Sequence, residues 1–109
     1  MTLGPLMVDL VGLKLSDQEA EILQHPLVGG VILFSRNYQS PDQMSELTRS
    51  IRALREPHLL ISVDHEGGRV QRFRQGFTRL PPVGVLGQDY ERQSQLTLSR
   101  AEMTGWLMA

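Results

Sequence analysis

Apolar positions along this chain follow two rhythms, one of strands and one of helices. Leu6-Met7-Val8-Asp9-Leu10-Val11 is a short apolar run closed by Gly12, which predicts a strand over residues 6–11. Ser16-Asp17-Gln18-Glu19 has the form of a capping box and opens a short helix that Pro26 stops by about His25. Residues 29–34, Gly-Gly-Val-Ile-Leu-Phe, are apolar on both faces and β-branched at the centre, as in a strand covered on both sides. The clearest helix follows, with Ser40 as N-cap, Pro41 at the first position and Gln43 completing a second capping box. Met44, Leu47, Ile51 and Leu54 form one apolar stripe on it. Arg49, Arg52 and Arg55 sit toward its C-terminal end, and Pro57 ends it. Residues 59–63 predict a strand running straight into Asp64-His65-Glu66-Gly67-Gly68. Residues 69–88, with Pro81-Pro82, predict an extended loop. A helical pattern resumes near Tyr90, with Leu96, Met103 and Leu107 on one side and Trp106 expected in the core.

Strand, helix, strand, helix, strand, loop, helix is the order of βαβ units in a parallel sheet. Three such strands leave two open edges, and the chain stops in the apolar helical pattern Gly105-Trp106-Leu107-Met108-Ala109. A closed (β/α)8 barrel takes about 250 residues. The expectation is therefore an α/β fold that is a partial (β/α)8 TIM-type barrel, about the first three strand–helix units. Residues 1–109 would be the N-terminal fragment of a single domain, liable to self-association through its open sheet edges.

Composition narrows the function classes. Hydrophobic residues at 40% and charged residues at 21% argue against wholesale disorder. Eleven basic against twelve acidic residues leave a net charge of -1, which disfavours a generally basic nucleic-acid or membrane binder. The absence of Cys removes disulfides, thiol nucleophiles and Cys-ligated zinc, and fits a reducing cytoplasm. The longest apolar run, residues 27–34, is far short of a membrane span, and no Lys or Arg precedes the first apolar stretch as in a signal peptide. A cytoplasmic location is expected. His25, His58 and His65 lack metal-ligand spacing, so no metal is expected from them.

Candidate chemistry concentrates in Val63-Asp64-His65-Glu66-Gly67-Gly68-Arg69-Val70-Gln71-Arg72-Phe73-Arg74. Ligands of parallel α/β folds meet the C-terminal ends of strands, where Asp64 stands. Its carboxylate can accept from two neighbouring sugar hydroxyls, although an Asp after a strand also serves simply to shape a turn. Gly67-Gly68 permits a sharp turn and close approach to a ligand. Arg69, Arg72, Arg74 and Arg79 each offer a planar fork of donors, although Arg72 taken alone is more often a solvated surface residue or a salt-bridge partner. Asp64 and Glu66 lie about 6.6 Å apart along an extended chain, which suits the two carboxylates of a glycosidase. Glu66 is nonetheless read as a group tying down the loop or an Arg. Interleaved Arg, Phe73 and Phe77 could form a single-stranded nucleic-acid patch, but the balancing acidic residues and the lack of a stacking sheet weigh against it. Asp9, inside an apolar strand, is expected in a structural ion pair.

At these residues a resemblance appears. Asp-His-Glu-Gly-Gly-Arg-Val-Gln-Arg-Phe, followed by Gly76-Phe77-Thr78-Arg79-Leu80-Pro81, resembles the N-terminal third of the glycoside hydrolase family 3 β-N-acetylglucosaminidases. His25-Pro26-Leu27-Val28-Gly29-Gly30-Val31-Ile32-Leu33-Phe34, Arg36-Asn37-Tyr38 and residues 105–109 are similar to other segments of that family. The likeness covers nearly the whole chain, and residues 90–103 are its least distinctive part. One departure is His65, where Gln is the commoner residue. The resemblance implies a barrel enzyme that removes terminal N-acetylglucosamine from muropeptides in cell-wall recycling by a retaining route, without cofactor. It also implies that Asp64 and Arg72 hold the terminal sugar. The nucleophile Asp and the acid/base loop, Lys-His-Phe-Pro-Gly-His-Gly, do not occur in these 109 residues, so the chain alone is expected to be inactive. A non-catalytic carbohydrate-binding or assembly module, completed by a partner chain, is the alternative.

Overall fold

Three parallel strands carry the first half of the chain in the computed structural model, which describes residues 2–109. β1 (Leu6–Asp9), β2 (Val28–Leu33) and β3 (Leu60–Val63) lie side by side in their order along the chain. Parallel neighbours require a crossover, and the helices α1 (Asp17–Leu23) and α2 (Pro41–Arg52) are the crossovers here. Register aligns Met7, Gly30 and Leu60 in one row and Val8, Val31 and Ile61 in the next, on opposite faces. Val31 is wholly buried, whereas Met7 and Leu60 are 49% and 60% exposed. One face of the sheet is covered and the other is bare. The core on the covered side draws on Leu23, Val31, Leu33, Leu47 and Ile51.

β1 stops two residues before the pattern suggests, because side chains take over the backbone groups that follow. Leu10 O accepts from Arg36 Nε and Asn37 Nδ2, and Val11 N donates to Glu19 Oε1 at 2.8 Å. The same Glu19 completes the expected capping box. Ser16 Oγ accepts from Glu19 N, and Glu19 Oε2 accepts from Ser16 N at 2.9 Å. Burial works against its charge, but the hydrogen bonds from Val11 and Ser16 outweigh it and hold the carboxyl below its ordinary value. Asp9 makes the expected ion pair, with Arg36, though its side chain is 59% exposed and not buried.

The second capping box is half formed. Ser40 Oγ accepts from Gln43 N, but Gln43 Oε1 accepts from Gln39 N instead of the N-cap amide, and its Nε2 donates to Leu13 O and Asn37 O. Met44, Leu47 and Ile51 are buried as the stripe requires, while Leu54 lies beyond the last turn. Arg55 also lies outside α2. Its guanidinium donates to the carbonyls of Thr2, His25 and Val28 and does not cap the helix.

Asn37 is wholly buried and satisfied on both sides of its amide. Nδ2 donates to Leu10 O and Gly12 O, and Oδ1 accepts from Phe34 N at 2.9 Å. Each backbone group left dry costs about 1–3 kcal/mol. Asn37→Ala is therefore expected to lower the urea midpoint by the equivalent of at least about 2 kcal/mol. An unchanged midpoint would remove Asn37 as the staple of the loops that follow β1 and β2.

The second unit comprises Asp64–Ala109. It opens with an antiparallel hairpin, β4 (His65–Gly67) and β5 (Val70–Gln71), and continues with α3 (Val83–Tyr90) and α4 (Ser94–Met108). The extended loop expected over residues 69–88 is thus corrected at both ends. Gly84 and Gly87 mask α3 in the sequence, and β5 is too short to show a rhythm. The apolar side expected on α4 is exposed, with Leu96, Met103 and Leu107 about half accessible or more. Trp106 is 77% exposed and is not core. The buried residues of α4 are Thr97 and Thr104, whose hydroxyls donate to the carbonyls of Gln93 and Arg100, four residues back. Among the described residues no helix is long and apolar enough to cross a membrane, and no group of three or more His, Asp or Glu could hold a metal ion.

Candidate functional site

Asp64 follows the last residue of β3 and directly precedes the hairpin. Its side chain is 48% exposed, and Oδ2 lies 3.6 Å from Nη2 of Arg72, which is 29% exposed. That distance is an ion-pair contact longer than a formed hydrogen bond, so charge holds the two groups together without locking their geometry. An acceptor and a donor fork stand side by side at the surface. This arrangement suits a ligand whose adjacent hydroxyls both donate and accept. The two residues singled out from the sequence are brought together.

The hairpin that carries Arg72 is tied mainly through side chains. Gln71, 2% exposed, accepts at Oε1 from Leu80 N and donates from Nε2 to Thr78 O and Phe73 O. Arg74 donates from Nε to Gln71 O and from Nη2 to Arg69 O at 3.1 Å and Gly68 O. Arg74 is exposed, and through these bonds it also clamps the turn. His65 accepts at Nε2 from Phe73 N at 3.1 Å, and its ring meets Phe73 edge-on, 5.1 Å between centroids. Burial first, and then the Arg72 charge, push the imidazole below its ordinary pKa, in keeping with an unprotonated acceptor nitrogen.

Gly67 and Gly68 have φ of +83° and +58°. A Cβ on Gly67 would stand 2.0 Å from Pro81 O. The close approach that Gly67 permits is by the chain itself, where a ligand was expected. Gly68 N donates to Leu80 O at 2.9 Å, closing the same junction.

Glu66 does not tie down an Arg. It is exposed and makes no ion pair or hydrogen bond among the described residues. With Arg69, Pro82 and Val83 it lines a cleft of about 520 Å³ that includes neither Asp64 nor Arg72. The remaining histidines serve locally. His25 Nδ1 accepts from Leu27 N, and His58 Nδ1 lies 2.9 Å from Arg52 O. Gln71 and Arg74 were missed as loop-holding residues because their partners are backbone atoms, which leave no mark in a residue pattern.

Residues 4–109 match the glycosyl hydrolase family 3 N terminal domain. The chain belongs to this family. Similar family members include the beta-hexosaminidases of Nitrosomonas eutropha and Methylobacillus flagellatus, 60% and 54% identical over the whole chain. The chain spans 31% of the length of each. Among solved structures it is similar to NagZ from Neisseria gonorrhoeae in complex with N-trifluoroacetyl-D-glucosamine, with a TM-score of 0.94 and 46% identity. That match covers 96% of this chain and 31% of the other. A glycoside hydrolase family 3 beta-N-acetylglucosaminidase from Paenibacillus is also similar, at a TM-score of 0.68 and 36% identity, covering 74% of this chain and 16% of that one. The family suggested by Asp64–Phe73 and its companion segments is the family found, and the α/β fold agrees with it.

Proposed function

We propose that this chain is the N-terminal part of a retaining exo-β-N-acetylglucosaminidase that removes terminal N-acetylglucosamine from muropeptides during cell-wall recycling in the cytoplasm. The observation that carries the reading is the Asp64–Arg72 pair just past the end of β3, in a chain 46% identical to a NagZ complexed with a glucosamine derivative. In this reading Asp64 accepts from two hydroxyls of the terminal sugar and Arg72 donates to it. A retaining enzyme of this kind works through a carboxylate nucleophile and a separate acid/base, and needs no metal or cofactor. Both of those groups belong to the part of the enzyme outside these 109 residues.

The same reading makes the chain the first three strand–helix units of a single (β/α)8 barrel domain. Strands in sequential order with every crossover helical are the pattern of a singly wound barrel; a doubly wound sheet reverses its order at a switch point. The bare row of Met7 and Leu60 faces the barrel interior in that arrangement. Left alone, the open edges of β1 and β3 favour self-association.

Assay of the complete protein and of the 109-residue chain on an aryl β-N-acetylglucosaminide tests the proposal. Turnover by the complete protein and none by the chain alone is expected. A complete protein without activity overturns the function, and a purified chain that turns over substrate overturns the placing of nucleophile and acid/base elsewhere.

A further inference from the structure

Two consecutive residues hold Arg72 from different sides. Asp64 faces its guanidinium. His65 accepts at Nε2 from Phe73 N, the amide of the peptide that joins Arg72 to Phe73. An imidazole nitrogen can accept there only when it carries no proton, which places the hydrogen on Nδ1. The ring is seated by Phe73 and Phe77, with centroids 5.1 and 6.3 Å away and both contacts edge-on. We propose that His65 is a positioning residue of the sugar site: as an acceptor it fixes the Arg72 peptide, so that the guanidinium stands opposite Asp64. The inference rests on the reading of Asp64 and Arg72 as the sugar-binding pair.

The charges around the ring give this role a pH dependence. Arg72 is the charge that bears on the imidazole, Asp64 precedes it, Glu66 follows it on the exposed side, and Phe73 and Phe77 close the remaining sides. Burial and Arg72 both disfavour the imidazolium, so the acceptor is intact at neutral pH and is lost as pH falls through a value below about 6.5. Protonation turns Nε2 from acceptor to donor against another N–H and sets a second cation beside Arg72. The Arg72 peptide is then released, and sugar binding weakens before the fold does.

The test compares the complete wild-type enzyme with His65→Gln and His65→Leu, measuring KM and kcat for an aryl β-N-acetylglucosaminide across the acid range. Gln keeps an amide oxygen that accepts from Phe73 N–H and does not titrate; Leu offers no acceptor. The wild-type KM is expected to rise several-fold as the pH falls through that limb, and the His65→Gln KM to stay level over the same range. His65→Leu is expected to raise KM about fivefold at every pH, the effect of one lost hydrogen bond. A merely structural ring would lower melting temperature in both variants and leave the KM–pH curve unmoved. Superimposable curves for wild type and His65→Gln overturn the proposal. A wild-type enzyme with no turnover at any pH overturns the sugar-site reading itself, and the proposal falls with it.

Discussion

Asp64→Ala in the complete enzyme is expected to cut kcat/KM by at least about tenfold and to leave the melting temperature unchanged. A hydrogen bond to a charged group contributes about 1.5–3 kcal/mol, which corresponds to roughly tenfold to a hundredfold in sugar binding. The loss in kcat/KM is larger still if the contact tightens as the ring distorts toward its oxocarbenium-like state. Stability should hold because Asp64 is half exposed and its ion pair with Arg72 is loose. A pair of that kind contributes about 0–1 kcal/mol to folding. Arg72→Ala should cost a similar factor. Arg74→Ala should fall between these variants and wild type, because it releases the carbonyls of Gly68, Arg69 and Gln71 without removing a sugar contact. Near wild-type kinetics for Asp64→Ala, with unchanged melting, would take Asp64 out of the site.

Gly67→Ala is expected to be the most disruptive single methyl in the second unit. The positive φ costs an L-residue about 1–2 kcal/mol. The new Cβ also falls 2.0 Å from Pro81 O, a backbone atom that cannot swing aside as a side-chain end can. Crowding of that sort typically adds about 1–3 kcal/mol. The turn relaxes only by parting from residues 80–82, which breaks the Gly68 N to Leu80 O bond and strains the Gln71 contact to Leu80 N. Both melting temperature and activity should therefore drop together. Gly68→Ala offers the control, since its Cβ meets Pro82 Cγ at 2.7 Å, the flexible part of a ring. Equal damage from the two substitutions would show that backbone approach is not what Gly67 serves.

Legibility in the sequence followed the range of each interaction. The Ser16–Glu19 box is visible because its partners are three residues apart and both are side chains of recognisable type. The stripe of Met44, Leu47 and Ile51 is visible because a helix repeats its face at fixed spacing. Asp64 and Arg72 could be picked from the motif, but their pairing depends on the hairpin turn, which the pattern of residues 69–88 did not reveal. α3 was hidden by two helix-weakening glycines, and the burial of α4 could not be read because hydrophobic character does not say whether a neighbour exists to cover it. Trp106 shows this most plainly. Gln43 and Gln71 were illegible for another reason. An amide that satisfies distant carbonyls and N–H groups looks, in one dimension, like any polar surface residue.

The sequential pairing of β1 with β2 and β2 with β3 also sets a schedule for the growing polypeptide. β1, β2 and β3 are all encoded by the time Val63 has been made, so their pairing with one another need not wait for Asp64–Ala109. Synthesis proceeds at about 5–20 residues per second, and the segment that follows Val63 therefore takes roughly 2–9 s more to produce. Throughout that interval Met7 and Leu60 present an apolar row to water on a nascent chain. Met7 and Leu60 are still about half exposed with Asp64–Ala109 in place, so beyond that interval too the row is open to capture by a chaperone, or by the same row on a neighbouring chain of the polysome.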